Sequence, residues 1–257
     1  MEYVVIAVAS FLISGLTLFS GFGLGTLLLP FFALFFALDA AVALTAIVHL
    51  LNNLFKLFLL GRQADRAVVL RFGIPAILAS FFGAEGLLVL SQMSPLFQYA
   101  LGGKTYFVMP IKLVIAVLMI VFALLEIVPR LARLSFDRRY LVLGGVLSGF
   151  FGGLSGHQGA LRSAFLLRAG LSTEGYVATG VVIACLVDFA RVPVYATHFS
   201  TATLHASGLL VIIAILGAFL GAFIGNRLVK KVTMRLVQMI VAVLLLAIAI
   251  GLGAGLI

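Results

Sequence analysis

Residues 147–167 read LSGFFGGLSGHQGALRSAFLL, and the fold turns on how this stretch is read. Gly149, Gly152, Gly153, Gly156 and Gly159 interrupt an otherwise apolar run, and His157, Gln158 and Arg162 stand among them. Glycine destabilises a helix interior and lets chains approach closely. Histidine, glutamine and arginine in lipid need partners, a cavity or a route to the interface. Residues 14–30, SGLTLFSGFGLGTLLLP, are related: Gly15 and Gly25 match Gly149 and Gly159 at a constant offset. The chain reads as two copies of one unit that meet at these segments.

The composition sets the class. The 257 residues are 64% hydrophobic and 10% charged, with a mean hydropathy of +1.30; soluble domains carry roughly 25% charged residues. This is an all-α, polytopic transmembrane protein, expected in the cell membrane of a bacterium (the inner membrane). The net charge of +9 sits in short loops between apolar runs, as topology signals do, so nucleic acid is not an expected partner. The single cysteine, Cys185, excludes a disulfide framework and a cysteine metal cluster. The N-terminal MEYVV lacks the basic region of a cleavable signal. No metal spacing, nucleotide loop or dinucleotide fingerprint is present, so no cofactor is expected, and an ion gradient is the natural energy source. The chain is not expected to be an enzyme, and it is compatible with a monomer or a homodimer.

Apolar runs occur at about 3–38, 40–60, 67–90, 108–128, 140–169, 175–196, 203–228 and 233–256. A spanning helix needs roughly 20 residues, so the first and fifth runs are too long for one crossing. Each is either one long bent helix or a hairpin that returns to its starting side. The basic loops favour the hairpin. With two hairpins, the groups Arg62, Arg66, Arg71, then Arg130, Arg133, Arg138, Arg139, then Arg227, Lys230, Lys231, Arg235 all face the cytoplasm, joined by Arg168. The loops 91–107 and 197–202 then face out. Residues 1–128 and 140–257 become two repeats around a cytoplasmic linker at 129–139. Each repeat holds a hairpin and three crossings, so the two have inverted topology, as in many secondary transporters.

Helices broken at membrane depth expose N–H groups that favour anions. The candidate binding residues are therefore Ser20, Gly21, Gly23 and Gly25 in the first break, and Ser155, Gly156, His157, Gln158 and Gly159 in the second. Arg162, one turn on, offers a planar fork for an oxyanion. Asp188 and Arg191 pair at i,i+3, and Pro193 is expected to disturb the helix after them. Their counterparts in the first half are Asn53 and Lys56. Asn53 is preferred to Asn52, while Lys56 reads equally well as a residue snorkelling to the cytoplasmic interface. His157, Glu85 and Asp188 are the candidate carriers of a coupling proton, Glu85 reading also as a solvated end residue, and His49 is a weaker candidate. Gly217, Gly221 and Gly225 have the spacing of a packing seam.

Both glycine segments resemble the duplicated motifs of the sulfite exporter TauE/SafE family of membrane permeases, and the likeness covers nearly the whole chain. Gly21, Gly23, Gly25 and Pro30 fit the G-x-G-x-G…P pattern; in the second motif His157 and Gln158 replace part of the cluster, and Ala164 stands near the proline position. The resemblance implies a permease exporting sulfite or a related organosulfur anion, with the two glycine segments forming the transport site. The residues then assign the anion to backbone amides, Gln158 and Arg162, with Arg191 as a second positive group held by Asp188. The rivals are an anion channel, a transporter of a cation or neutral solute, and an intramembrane enzyme using Ser155 with His157. The expected partners are a small anionic solute, the lipid bilayer and protons as a candidate coupling ion.

Overall fold

The computed structural model describes residues 2–20, 24–132, 134–198, 201–228 and 234–256. Gly21 and Gly23 lie outside the described residues, as do Lys230 and Lys231. The helices are α1 (Glu2–Ser20), α2 (Leu24–Ala33), α3 (Leu38–Leu60), α4 (Arg66–Ser91), α5 (Pro110–Ile127), α6 (Leu141–Ser155), α7 (Gly159–Leu166), α8 (Thr173–Ala196), α9 (Thr201–Leu228) and α10 (Met234–Gly253). Among the described residues, Leu38–Phe58, Arg66–Ser91 and Thr173–Ala196 are long and apolar enough to cross a membrane, and shorter apolar helices accompany them. The chain is a polytopic helical membrane protein.

Local chemistry sets the helix boundaries. Asp65 caps α4 by accepting from the Val68 N–H at 2.9 Å, and Ser172 caps α8 by accepting from Gly175 at 3.0 Å. Pro110 opens α5, where its missing N–H costs nothing. Pro193 does not end α8, which continues through it to Ala196; the surrounding packing overrides the local penalty. One departure from an all-helical chain is a β-hairpin, β1 (Phe97–Leu101) antiparallel to β2 (Lys104–Val108), within the stretch read as a loop. Gly102 and Gly103, at φ 60° and 77°, supply the two left-handed positions of its turn. The Tyr99 hydroxyl ties the hairpin to the Ala254 carbonyl at 2.5 Å.

The fifth apolar run is divided into two helices that lie side by side. Gly156, at φ +79°, ends α6, and α7 then runs back beside it. The Phe136 N–H, ahead of α6, donates to the Ala164 carbonyl near the end of α7 at 3.0 Å. The Phe136 and Phe165 rings stack at 4.4 Å, and the Ser148 hydroxyl donates to the Gln158 carbonyl at 3.0 Å. In the first run, α1 is described to Ser20 and α2 from Leu24, and residues 21–23 between them lie outside the described residues.

Two glycine seams hold the bundle together. Along α6, Gly145, Gly149 and Gly153 lie directly against the Phe72, Ala76 and Ser80 carbonyls of α4, and Gly83 of α4 lies against the Phe150 carbonyl. Gly217 and Gly221 of α9 meet the Ala7 and Phe11 carbonyls of α1 in the same manner. A Cβ at any of these positions would overlap backbone, which cannot yield as a side chain can. α3 packs on α8, and α5 on α10. A separate apolar cluster joins Val68, Phe72 and Ala76 of α4 to Leu141 of α6, Phe165 of α7 and Val187 of α8. Gly149→Val is therefore expected to force α4 from α6 and destabilise the fold by about 1–3 kcal/mol or more. The midpoint of thermal unfolding in detergent checks this; an unchanged midpoint would show that the seam opens freely.

Candidate functional site

The two breaks meet. A Cβ added to Gly25, in the first turn of α2, would lie 3.5 Å from the Gly156 carbonyl and 3.6 Å from the His49 ring. Gly25, Ser155, Gly156, His157, Gln158 and Gly159 thus gather where α3 crosses α8. Ser20 closes α1, and Gly21 and Gly23 fall outside the described residues.

Asp188 is the hub of the crossing. Its Oδ2 accepts from His49 Nδ1 at 2.6 Å. Its Oδ1 accepts from Arg191 Nε at 2.9 Å, lies 2.7 Å from Arg191 Nη2, and takes a longer bond from the Gln158 amide at 3.4 Å. The carboxylate requires a proton on His49 Nδ1, and Asn53 Nδ2, itself a donor, lies 3.1 Å from Nε2 and 3.2 Å from Nδ1, which disfavours a second proton on the ring. These partners hold His49 as the neutral Nδ1–H tautomer. Asn52, one position away, points elsewhere: its Oδ1 accepts from Ser14 at 3.1 Å, and its Nδ2 has no partner among the described residues.

Arg191 is committed to the structure. It neutralises Asp188, and its Nη1 donates to the Gly152 carbonyl at 2.8 Å. Tyr195, one turn on, donates to the Gly153 carbonyl. Together they cover the C-terminal carbonyls of α6, where a cation is electrostatically favoured. The role given to Arg191 from sequence, a second positive group for an anion, is not what this geometry favours, because its charge is already balanced.

Two other cations are not balanced. Arg162 is buried and donates to Gln158 Oε1 at 3.2 Å, with no carboxylate against it among the described residues. Lys56 is 5% exposed, so it does not snorkel, and it has neither an ion pair nor a hydrogen bond among the described residues. A Cβ at Gly180 of α8 would lie 3.5 Å from Arg162 Nε, and α3 runs along α8 from the His49–Asp188 contact toward the Asp65–Thr179 contact, so Lys56 falls on the same stretch of α8 as Arg162. Asp188 has both oxygens engaged by His49, Arg191 and Gln158.

His157 faces another way. Its ring stacks on Phe122 of α5 at 5.2 Å, and its Nδ1 lies 3.0 Å from the Ser155 hydroxyl. That hydroxyl gives its one proton to the Phe151 carbonyl at 3.0 Å, so His157 donates from Nδ1 and leaves Nε2 as a buried acceptor without a partner among the described residues. The histidine therefore does not draw a proton from Ser155, as a nucleophile would require. Glu85 is exposed on α4 beside the exposed Phe82 and Val89, outside this cluster. Among the described residues no group of three or more His, Cys, Asp or Glu is placed to hold a metal ion.

His49 and Lys56 were undervalued from sequence. The signal that marks them is a polar stripe along one face of α3, Thr45, His49, Asn53 and Lys56, at spacings of four, four and three. Taken singly, each residue has an ordinary explanation; as a stripe on a buried helix, they do not.

No curated protein and no solved structure matches the chain. A family model does: the one described as sulfite exporter TauE/SafE matches residues 6–252, nearly the whole length and both glycine segments. The chain belongs to the sulfite exporter TauE/SafE family.

Proposed function

We propose that the protein is a secondary permease that exports a small sulfur oxyanion, such as sulfite or an organosulfonate, across a bacterial inner membrane. One observation carries this reading: Lys56 and Arg162 are buried along the same stretch of α8, and no acid pairs with either among the described residues. A buried charge without a counter-ion is costly, and two of like sign also repel. A transported anion supplies what the chain does not. The anion lies between the Arg162 fork and the Lys56 ammonium, with Gln158 and the amides that open α7 beside it. Gly25 and Gly159 keep the backbone bare on either side.

The two halves, 1–128 and 140–257, are inverted repeats around the linker 129–139, with re-entrant hairpins α1–α2 and α6–α7. The pairing of helices supports this. The first helix of each half packs on the fourth of the other, α1 on α9 and α6 on α4, while α3 pairs with α8 and α5 with α10. That exchange has a mechanical consequence. The glycine seams join opposite halves, so the rigid bodies are composites, α4 with α6 and α1 with α9, rather than the repeats themselves. Alternating access then works at the α3–α8 crossing, where His49–Asp188 is the polar link. An inside-negative potential favours export of each negative charge by about 2.3 kcal/mol per 100 mV. If protons are coupled, His157 Nε2 is the acceptor in position to take one, since Glu85 is outside and Asp188 is engaged.

Counterflow of labelled sulfite in proteoliposomes, challenged with sulfate, sulfoacetate and taurine, tests the proposal. Competition by anions is expected, and none from any anion overturns it. Conductance with flux that does not saturate would instead identify a channel. Topology is tested separately: single cysteines placed at 129–139 and at 226–235 in a Cys185→Ala background are expected to label from the same side of the membrane. Labelling from opposite sides would remove the inverted repeat.

A further inference from the structure

The charge inventory of the site points to the valence of its ligand. We infer that the site takes a doubly charged oxyanion in preference to a singly charged one, with Lys56 as the residue that sets the preference. This rests on the anion-permease reading above. The buried groups at the crossing divide into those that cancel and those that do not. Asp188 and Arg191 cancel through direct contact at 2.7 and 2.9 Å. His49 is neutral, held between Asp188 and Asn53. His157 carries its proton on Nδ1 and is neutral too. Lys56 and Arg162 remain, one from each half of the chain, and the described residues supply no anion for either.

A monoanion leaves one of these cations buried and unpaired, whereas a dianion satisfies both. The two differ in form as well as position. The arginine fork suits two oxygens of one group, and the lysine ammonium is a compact point charge suited to a single terminal atom. An oxyanion with a charged atom at each end fits that pair. Among the arginines whose side chains are described, Arg62, Arg66, Arg71, Arg130, Arg138, Arg139 and Arg168 are exposed and do not contribute.

Thiosulfate and methanesulfonate make a matched pair of probes. Each carries three oxygens on a tetrahedral sulfur, but the fourth position is a charged sulfur in one and a methyl group in the other. Both are titrated against labelled sulfite counterflow by the full-length protein in proteoliposomes. The wild type is expected to favour thiosulfate by about tenfold or more, the scale of one buried charge pair. In Lys56→Met the ratio is expected to fall to within about twofold of unity, and Lys56→Arg is expected to restore the preference. A wild-type ratio near one overturns the inference with no variant needed, so a failure of Lys56→Met to fold does not protect it. Equal weakening of both probes in Lys56→Met also overturns it, because Lys56 would then only position the site. If neither probe competes and sulfite itself is not moved, the permease reading fails instead.

Discussion

Asp188→Asn is expected to destabilise the folded protein by about 3–5 kcal/mol and to abolish transport. The carboxylate is 0% exposed and receives His49, Arg191 and Gln158 on its two oxygens. An asparagine has one acceptor oxygen. Its NH2 group must face either the His49 N–H or the Arg191 guanidinium, donor against donor, and Arg191 is left as a buried charge with only the Gly152 carbonyl. The penalty comes from the stranded partner more than from the lost bond. Adding Arg191→Gln removes the stranded charge, so the double variant is expected to recover part of the loss, with a coupling of roughly 0.5–3 kcal/mol. Thermal midpoints of the four proteins in detergent measure the cycle. A midpoint for Asp188→Asn equal to wild type would show that this network does not hold α3 to α8.

Arg162→Ala is expected to do the reverse: to leave stability unchanged or raise it while lowering anion counterflow by about 100-fold or more, the scale of losing a buried charged contact to a ligand. Among the described residues the Arg162 side chain makes one hydrogen bond, to a neutral amide at 3.2 Å, and it is buried on the same stretch of α8 as Lys56. Removing it relieves repulsion and desolvation. Groups kept for binding at a cost in stability behave in this way. Arg162→Lys keeps the charge and loses the fork, so intermediate activity is expected. Measuring unfolding and counterflow on the same preparations separates the roles. An Arg162→Ala protein that unfolds as Asp188→Asn does would make Arg162 a packing residue and remove the main support for an anion site.

Several features were legible in the sequence because they depend on local rules. The breaks are marked by glycines and by polar residues that lipid does not tolerate, and the chain does break after Ser155, while the first glycine segment lies partly outside the described residues. The seam at Gly217 and Gly221 follows from the four-residue spacing that brings backbones together. Asp188 and Arg191, three apart, could hardly avoid each other. Other features were not legible. Gly145, Gly149 and Gly153 look like parts of the broken motif, but they form the contact with α4, which depends on a helix some 70 residues earlier. Lys56 lies four residues from the end of α3 and had every local reason to reach the interface; it is buried because α3 is packed between α8, α2 and α9. Glu85 had the residue type of a proton carrier, but the rotation of α4 turns it outward.

The sequence by itself determined a helical membrane protein of the TauE/SafE family, the places where its helices break, and the residues costly enough in lipid to require a reason. Each of these follows from composition, spacing and the energetics of single groups. Only the tertiary structure decided which charges cancel. Asp188 satisfies Arg191 and His49, and Lys56 and Arg162 are left over, because charge balance in a buried site is set by distances of a few ångströms between segments far apart in the chain. Spacing along one helix cannot report such distances.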